Sequence, residues 1–283
     1  MMPQHITPAG HFVHIPMGTN GDFPATFEAH WEEFFSWWRL SVAGCIAATI
    51  LSRILLPLLV PASWAAMVKD SPWKATTVPK NVAEWWPAVV VFPLAVHPVR
   101  VLTTAALAEP AMALYLPAPS GMWCATGAAV GYMSFDCFML LVFHRSMILS
   151  MKLPMYMQIW GHHLLSMIIW PLGLHTSVAN VFIAWFLLSE GSNLFLNCRT
   201  LLIKFNAGSG MKFSVSTGLF SLSFIALRIL PMPLFLAFWS RIDYSHTTWF
   251  TWSMTVGFTP LPSLLNLYWL YLMVGMATKK KKK

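Results

Sequence analysis

The chain has 283 residues, of which 57% are apolar and only 10% are charged, against about 25% charged in ordinary soluble domains. A soluble fold of this size would need far more polar surface, so the composition excludes an ordinary soluble protein. The formal net charge of +8 does not indicate nucleic-acid binding. The run 279–283 consists of lysines, and most other basic residues flank hydrophobic segments, where they act as topology signals and contact anionic lipid.

Hydrophobic segments long enough to cross a bilayer follow one another along the chain, since about 20 apolar residues span a hydrocarbon core of roughly 30 Å. Tryptophans cluster at many segment ends, as residues of the membrane interface do. The predicted transmembrane helices are 37–60, 85–108, 121–143, 155–175, 178–203, 213–239 and 249–276. The sequence therefore predicts an all-α, polytopic membrane protein with about seven transmembrane helices.

Four regions follow from these segments. Residues 1–36 form a lumenal N-terminal segment, in which 26–38 predict a short amphipathic helix at the membrane interface. An ordinary helix packed on a loop is the alternative for this stretch. Residues 37–84 hold the first transmembrane helix and a cytosolic loop, residues 85–276 hold the other six helices, and residues 277–283 are a polylysine tail.

The orientation follows from the distribution of basic residues. The first predicted loop carries Lys69, Lys74 and Lys80, and the third and fifth loops are also basic, whereas the N-terminal segment is acidic. Basic residues concentrate on the cytosolic side of membrane proteins. The odd-numbered loops and the C-terminus are therefore expected in the cytosol.

Six successive predicted helices each carry polar residues that are costly to place in lipid. Regular spacing puts several on one helix face, such as His97 with Arg100 and Tyr132 with Asp136. Such residues usually face the bundle interior or a water-filled cavity. The residues expected to face a shared interior are His97, Arg100, Tyr132, Asp136, Gln158, Ser166, Glu190, Asn193, Asn197, Arg228 and Asn266. The alternatives are interhelical hydrogen bonds for the asparagines and a structural ion pair for Arg228.

The adjacent pair His162–His163 lies in an apolar run, where two imidazoles cost solvation and supply groups that titrate near neutrality. We interpret the pair, with Asp136, as chemically active or in contact with a ligand. Neighbouring helical residues point about 100° apart, whereas metal ligands favour spacings of three or four. With no H-x-x-x-H spacing present, no metal site is predicted.

Several of these residues occur in an ordered set that resembles the TLC-domain family, which includes the ceramide synthases and the TRAM translocon-associated proteins. The resemblance runs from about His97 to the C-terminus, and it is most similar to the smaller TLC domain-containing branch. Its most specific part is the block that begins Ser189-Glu190 and ends Cys198-Arg199. The remaining matches are Val96-His97, Gly131-Tyr132 with Asp136, Gly161-His162-His163, Arg228, and Leu265-Asn266 with Trp269.

The resemblance implies that six helices enclose a lipid-accessible cavity, with the first span outside it. It also implies a lipid ligand and places His162 and His163 where ceramide synthases have their acyl-transfer site. Ceramide synthases carry a pair of aspartates after the histidines. This chain has no Asp between His163 and Arg199, which weakens the expectation of N-acyl transfer.

Three functions stay open. The preferred one is a non-catalytic protein that binds or senses an acyl-chain lipid and influences membrane lipid composition or trafficking. The second is an acyltransferase of ceramide-synthase type, in which His162 or His163 acts as base or transient acyl acceptor and Asp136 or Glu190 orients the imidazole. Acyl-CoA would be needed in that case, and no other cofactor is expected. The third is a structural subunit of a larger membrane complex.

The expected partners are membrane lipids and, for the third function, other membrane-protein subunits. No nucleic acid is expected. The lysine run 279–283 resembles a dilysine retrieval signal, with an electrostatic anchor to anionic lipid as the alternative. Together with the family resemblance, it favours the endoplasmic reticulum, with another internal membrane as the alternative.

Overall fold

A computed structural model describes residues 27–119, 121–244 and 248–279, and these residues form helices and connecting loops. Residues 1–26 of the predicted N-terminal segment and residues 280–283 of the predicted polylysine tail lie outside the described residues. The α-helices are α1 Phe27–Leu59, α2 Pro61–Asp70, α3 Lys74–Ala83, α4 Phe92–Ala108, α5 Met122–Val142, α6 His144–Thr176, α7 Asn180–Ser189, α8 Asn193–Lys204, α9 Gly210–Phe224, α10 Met232–Trp239, α11 Trp249–Trp252 and α12 Pro260–Lys279.

Short helical segments of other types connect several of these helices. The 3-10 turn Glu190–Ser192 joins α7 to α8, and π-helical segments at Pro87–Val91, Ile225–Ile229 and Ser253–Phe258 each precede prolines of the next helix. Proline lacks the backbone N–H, and its ring clashes with the carbonyl four residues earlier, so the turn before it widens. The prolines of the sequence therefore account for the irregular turns near the interior.

Five helical stretches among the described residues are long and apolar enough to cross a membrane. They are Glu28–Leu59, Lys74–Ala108, Met122–Val142, Asn180–Lys204 and Gly210–Trp239. They correspond to the first, second, third, fifth and sixth predicted spans. Helices also lie at the fourth and seventh predicted positions, as α6 and as α11 with α12, although neither is among these five. The chain is an all-helical, polytopic integral membrane protein, as the sequence predicts.

Helix α5 lies at the centre of the molecule, and α1 lies at its edge. In the most apolar stretch of each helix, 78% of the α5 residues are buried inside the protein, against 11% for α1. The two helices pack closely because α5 carries glycines at the contact. A Cβ added at Gly127 would lie 2.3 Å from the Phe34 carbonyl oxygen, and one at Gly131 would lie 2.5 Å from that of Trp38. Small residues at such contacts are typical of membrane helix pairs.

The beginning of α1 differs from the prediction. Residues 27–38 do not form a separate interfacial helix, because α1 continues without a break from Phe27 to Leu59. Its first turns pack on the beginning of α5, where Trp123 stacks with His30 at 5.1 Å between ring centroids and meets Trp31 at 5.2 Å. The predicted boundary at residue 37 is therefore not a structural break.

The segment predicted as the first cytosolic loop also differs. Residues 61–84 contain α2 and α3, and α3 continues through a π-helical segment into α4. Lys80 on α3 is 2% exposed, and Lys74 is also buried. The interpretation of these two lysines as loop charges that contact lipid head groups is wrong. Both side chains turn inward, Lys80 to the carboxylates of Asp136 and Glu84, and Lys74 to the Lys204 carbonyl oxygen at the end of α8.

Candidate functional site

A cluster of buried charges joins α3 to α5. Lys80 Nζ lies 2.6 Å from Asp136 Oδ1, and it also donates to the carboxylate of Glu84, one helical turn further on. Asp136 is 1% exposed. A charge removed from water is stabilised only when an opposite charge and hydrogen bonds compensate it. Lys80 therefore compensates the charges of two neighbouring carboxylates.

His163 on α6 also contacts this cluster. Its Nδ1 lies 3.4 Å from Asp136 Oδ2. The ring also packs edge-on against Tyr132, with 5.8 Å between centroids. Asp136 and Tyr132, both on α5, are therefore the neighbours of His163 in the cluster.

The cluster extends through amides to α8. Asn81 donates to the Glu84 carboxylate and accepts from Lys204 Nζ, and Asn197 Nδ2 donates to the Glu84 carbonyl oxygen at 2.7 Å. We call Lys80, Asn81, Glu84, Asp136, His163 and Lys204 the lysine–carboxylate network. It ties α3, α5, α6 and α8 together. Because most of its side chains are buried and contact one another, it supplies a wall rather than an open binding surface.

A second polar cluster surrounds Arg228, in the π-helical segment between α9 and α10. Its guanidinium donates to Ser192 Oγ at 2.8 Å, to Asn266 Oδ1 at 3.3 Å and to Asn193 Oδ1 at 3.2 Å. The Glu190 carboxylate lies 4.0 Å away and accepts from Asn193 Nδ2 at 2.6 Å. The rings of Phe224 and Trp269 each lie 5.8 Å from the guanidinium carbon. We call these seven residues the arginine cluster.

An apolar cavity of about 160 Å³ lies between α6, α7 and α12. Its lining includes His162, Gln158 and Ser166 of α6 among mostly apolar side chains. Gly161 and Leu261, both exposed, lie at its rim, so the cavity is partly open. We call it the main cavity. Pockets for small ligands measure about 300–1,000 Å³, so this cavity is smaller than a typical ligand pocket.

A much smaller pocket adjoins the main cavity, and we call it the polar pocket because its lining includes Glu190 and Arg228. Its volume is about 10 Å³, close to the minimum for one water molecule. His162, Trp170 and Phe186 line both spaces, whereas Glu190, Arg228, Asn266 and Trp269 line the polar pocket alone. An apolar space thus ends beside the arginine cluster, with His162 at the junction.

The two neighbouring imidazoles therefore face different surroundings. Their ring centroids are 5.5 Å apart, with His163 in the lysine–carboxylate network and His162 at the main cavity. The arrangement places the half-buried His162 in the wall of an apolar space. His163 lies next to it, in the network. His163 lies near Asp136 of α5, and His162 lines a pocket with Glu190 and Arg228.

The structure brings most of the predicted residues into these clusters. Asp136, His163 and Tyr132 meet at the network, with Asn197 beside Glu84. The residues at the cavities or in the arginine cluster are His162, Gln158, Ser166, Glu190, Asn193, Arg228 and Asn266.

Two predicted residues on α4 lie apart from these groups. Arg100 is exposed, and His97 is half-buried and lines neither cavity. The reason is the rotation of α4. This helix packs on α7, and its buried face carries Ala95, Val99, Leu102 and Ala106, so Arg100 is directed away from the interior.

Sequence reasoning missed Lys80, Asn81, Glu84 and Lys204, which make up most of the network. Their basic members were assigned to loops, where lysines flank predicted spans. One signal does point to a helical pair, because Lys80 precedes Glu84 by four residues, the spacing of helical ion pairs. Within residues 27–119, 121–244 and 248–279, no three His, Cys, Asp or Glu side chains are grouped to hold a metal ion.

Fold and site together define a polytopic helical membrane protein with a charged interior and an apolar cavity that is partly open. A family model described as the TLC domain matches residues 65–275, well over half of the chain. The chain therefore belongs to the TLC-domain family and is a lipid-related membrane protein. The match begins before His97, so it includes α3 with Lys80. No curated protein and no solved structure matches the chain.

Proposed function

We propose that this protein binds one acyl-chain lipid in the main cavity and, through that binding, influences membrane lipid composition or trafficking. The observation that carries the proposal is the apolar cavity that ends at His162 beside a polar pocket. A lipid has this same division between chain and head. The apolar wall formed by Ile183, Phe186 and Met254 suits a chain, and the polar pocket suits a head-group atom.

Filling the cavity tests the proposal. Leu165 lines the main cavity, whereas its neighbour Leu164 is 46% exposed on the outer face of α6. Leu165→Trp should remove a co-purifying lipid, because the larger ring occupies the space of the chain. Leu164→Trp adds the same ring on the outside and should leave the lipid in place. Mass spectrometry of lipids extracted from the purified proteins measures both. Equal lipid content in all three proteins contradicts the proposal.

A second candidate function is acyl transfer from acyl-CoA, and the contact between His163 Nδ1 and Asp136 Oδ2 at 3.4 Å favours it. A carboxylate that orients an imidazole is the usual arrangement of a general base. Purified protein with labelled acyl-CoA and a long-chain base would then give an N-acyl product. Activity lost in His162→Ala and in His163→Ala supports this candidate. Wild-type protein without turnover overturns it and leaves lipid binding.

We also propose that the protein resides in the endoplasmic reticulum. The basic run 279–283 supports residence in the endoplasmic reticulum with a cytosolic C-terminus. Replacement of the final lysines by serines should release a tagged protein to later membranes, as fluorescence microscopy would show. An unchanged distribution contradicts retrieval by the tail.

A further inference from the structure

The charges beside the polar pocket balance each other. Of the described residues that line the main cavity and the polar pocket, Arg228 and Glu190 are the only Arg, Lys, Asp or Glu side chains. Their charged groups lie 4.0 Å apart, and both side chains are buried. An anionic head group would meet the carboxylate as well as the guanidinium, and a cationic one would meet the guanidinium as well as the carboxylate. Either would leave one buried charge in excess.

The guanidinium is also not presented as an anion clamp. Ser192, Asn193 and Asn266 accept from its three nitrogen atoms, and the rings of Phe224 and Trp269 lie beside it. Arginine holds phosphate or carboxylate through two parallel N–H donors that face the ligand. Here those donors bind neutral side chains of the protein, so they are not available to a ligand anion.

One residue of the pocket lining has an unpartnered donor. Trp269 lines the polar pocket, and its buried Nε1 has no hydrogen-bond partner. The indole N–H is a donor only, and leaving a buried donor unpaired is costly. An oxygen acceptor would satisfy it. With about 10 Å³, the pocket accommodates a group close to one oxygen atom in size, far smaller than a phosphate.

We propose, building on the lipid-binding function above, that the cavity selects lipids whose head is uncharged and offers a hydrogen-bond-accepting oxygen to Trp269. A hydroxyl or an amide carbonyl has this chemistry. Phosphate and ammonium heads are rejected, because the Arg228–Glu190 pair leaves no excess charge for them. The same acyl chain therefore binds or fails to bind according to its head.

A series of ligands with one chain and different heads tests this selection. Binding of radiolabelled hexadecanol, hexadecanamide, hexadecyl phosphate, hexadecylamine and hexadecane is measured on the full-length protein in mild detergent. Wild-type protein should bind the alcohol and the amide at least about tenfold more tightly than the phosphate, the amine and the plain alkane. Trp269→Phe keeps a ring and removes the N–H, so it should weaken the alcohol and the amide alone.

Charge variants make the test reciprocal. Glu190→Gln leaves Arg228 uncompensated and should shift the preference to the phosphate, whereas Arg228→Gln should shift it to the amine. The double variant restores a neutral pair and should bind the alcohol again. If a single variant fails to fold, as thermal unfolding would show, the double variant still gives the decisive comparison with wild type.

The outcomes separate the two proposals. If wild-type protein binds the phosphate or the amine most tightly, or binds the alkane as well as the alcohol, the selection is overturned and lipid binding stands. A double variant that prefers either charged head also overturns the selection. If no member of the series binds, both proposals are overturned.

Discussion

His162 and His163 are adjacent in the chain, yet they belong to regions of opposite character. His163 contacts Asp136 inside the lysine–carboxylate network, where Lys80 and Asp136 are 2% and 1% exposed. His162 is half-buried and lines the partly open main cavity. A rotation of about 100° between neighbouring helical residues is enough to separate the two rings.

The two regions show that charges buried inside a membrane protein can lie in two settings, a filled helix interface or the wall of a pocket. The network connects four helices through contacts that leave little room for a ligand. The arginine cluster holds a charge pair at 4.0 Å beside a pocket, with an unpartnered donor on Trp269. Filled surroundings favour a structural role for the network, whereas a charge pair beside a pocket supports the proposed lipid binding. Mutations should therefore separate stability from lipid binding.

Removal of Lys80 should have the largest effect. Lys80→Met leaves the buried carboxylates of Asp136 and Glu84 without their shared cation. Breaking a buried ion pair by removing one partner costs about 3–5 kcal/mol, so the free energy of unfolding should fall by that amount. Denaturation of the purified protein in mixed micelles measures it.

Lys69→Met is the matched control, because Lys69 is an exposed lysine at the end of α2. It removes the same charge from the same part of the sequence and should produce a much smaller change. Similar losses in both variants would mean that the buried pairing of Lys80 does not hold the helices together.

The histidines should separate the two regions most directly. His163→Ala removes a buried ring that contacts Asp136 and packs on Tyr132. It should cost about 1–3 kcal/mol of unfolding free energy, within the range of most destabilising substitutions. His162→Ala should cost less, yet it should remove more of the co-purifying lipid. Unfolding and lipid content are measured on the same preparations. The reverse ranking in either measurement would contradict the assignment of the two rings.

Asn266→Ala should have a smaller effect on stability. It removes one acceptor of Arg228, whose other partners Ser192 and Asn193 remain. One intramolecular hydrogen bond contributes about 0.5–1.5 kcal/mol, which is the expected loss of unfolding free energy. Ser240→Ala is a control, because the exposed Ser240 hydroxyl makes one hydrogen bond, to the Ala237 carbonyl oxygen at 3.0 Å. An equal or larger loss in the control would argue against a stabilising role for the arginine cluster.

Many residues of the candidate site can be predicted from the sequence. A polar residue within an apolar run is costly in lipid, and the run itself is visible in the sequence. Asp136, His163 and Glu190 stand out in apolar runs, and helical spacing gives the face that each one shares with its neighbours. The resemblance to the TLC-domain family agrees with the family match over residues 65–275. The outer position of α1 also follows from that resemblance.

The missing part concerns residues near the ends of the hydrophobic segments. Lys80 and Lys204 lie where basic residues usually face the cytosol, and sequence alone does not distinguish a lysine that reaches water from one that turns inward. The choice depends on acceptors that other helices bring, such as Asp136 on α5 and Asn81 on α3. Such contacts join segments that are distant in the chain, so a hydropathy pattern does not reveal them.

Arg100 provides the smallest expected effect and the clearest test of helix rotation. Its spacing from His97 groups the two residues on one face of α4, but α4 packs on α7 through its apolar face and leaves Arg100 exposed. Arg100→Gln should change the free energy of unfolding by no more than about 0.5 kcal/mol, as surface substitutions do, and should leave lipid content unchanged. A loss of unfolding free energy as large as that of Lys80→Met would mean that Arg100 is buried. The rotation of α4 would then differ from the one described, with Arg100 on the face that packs against α7.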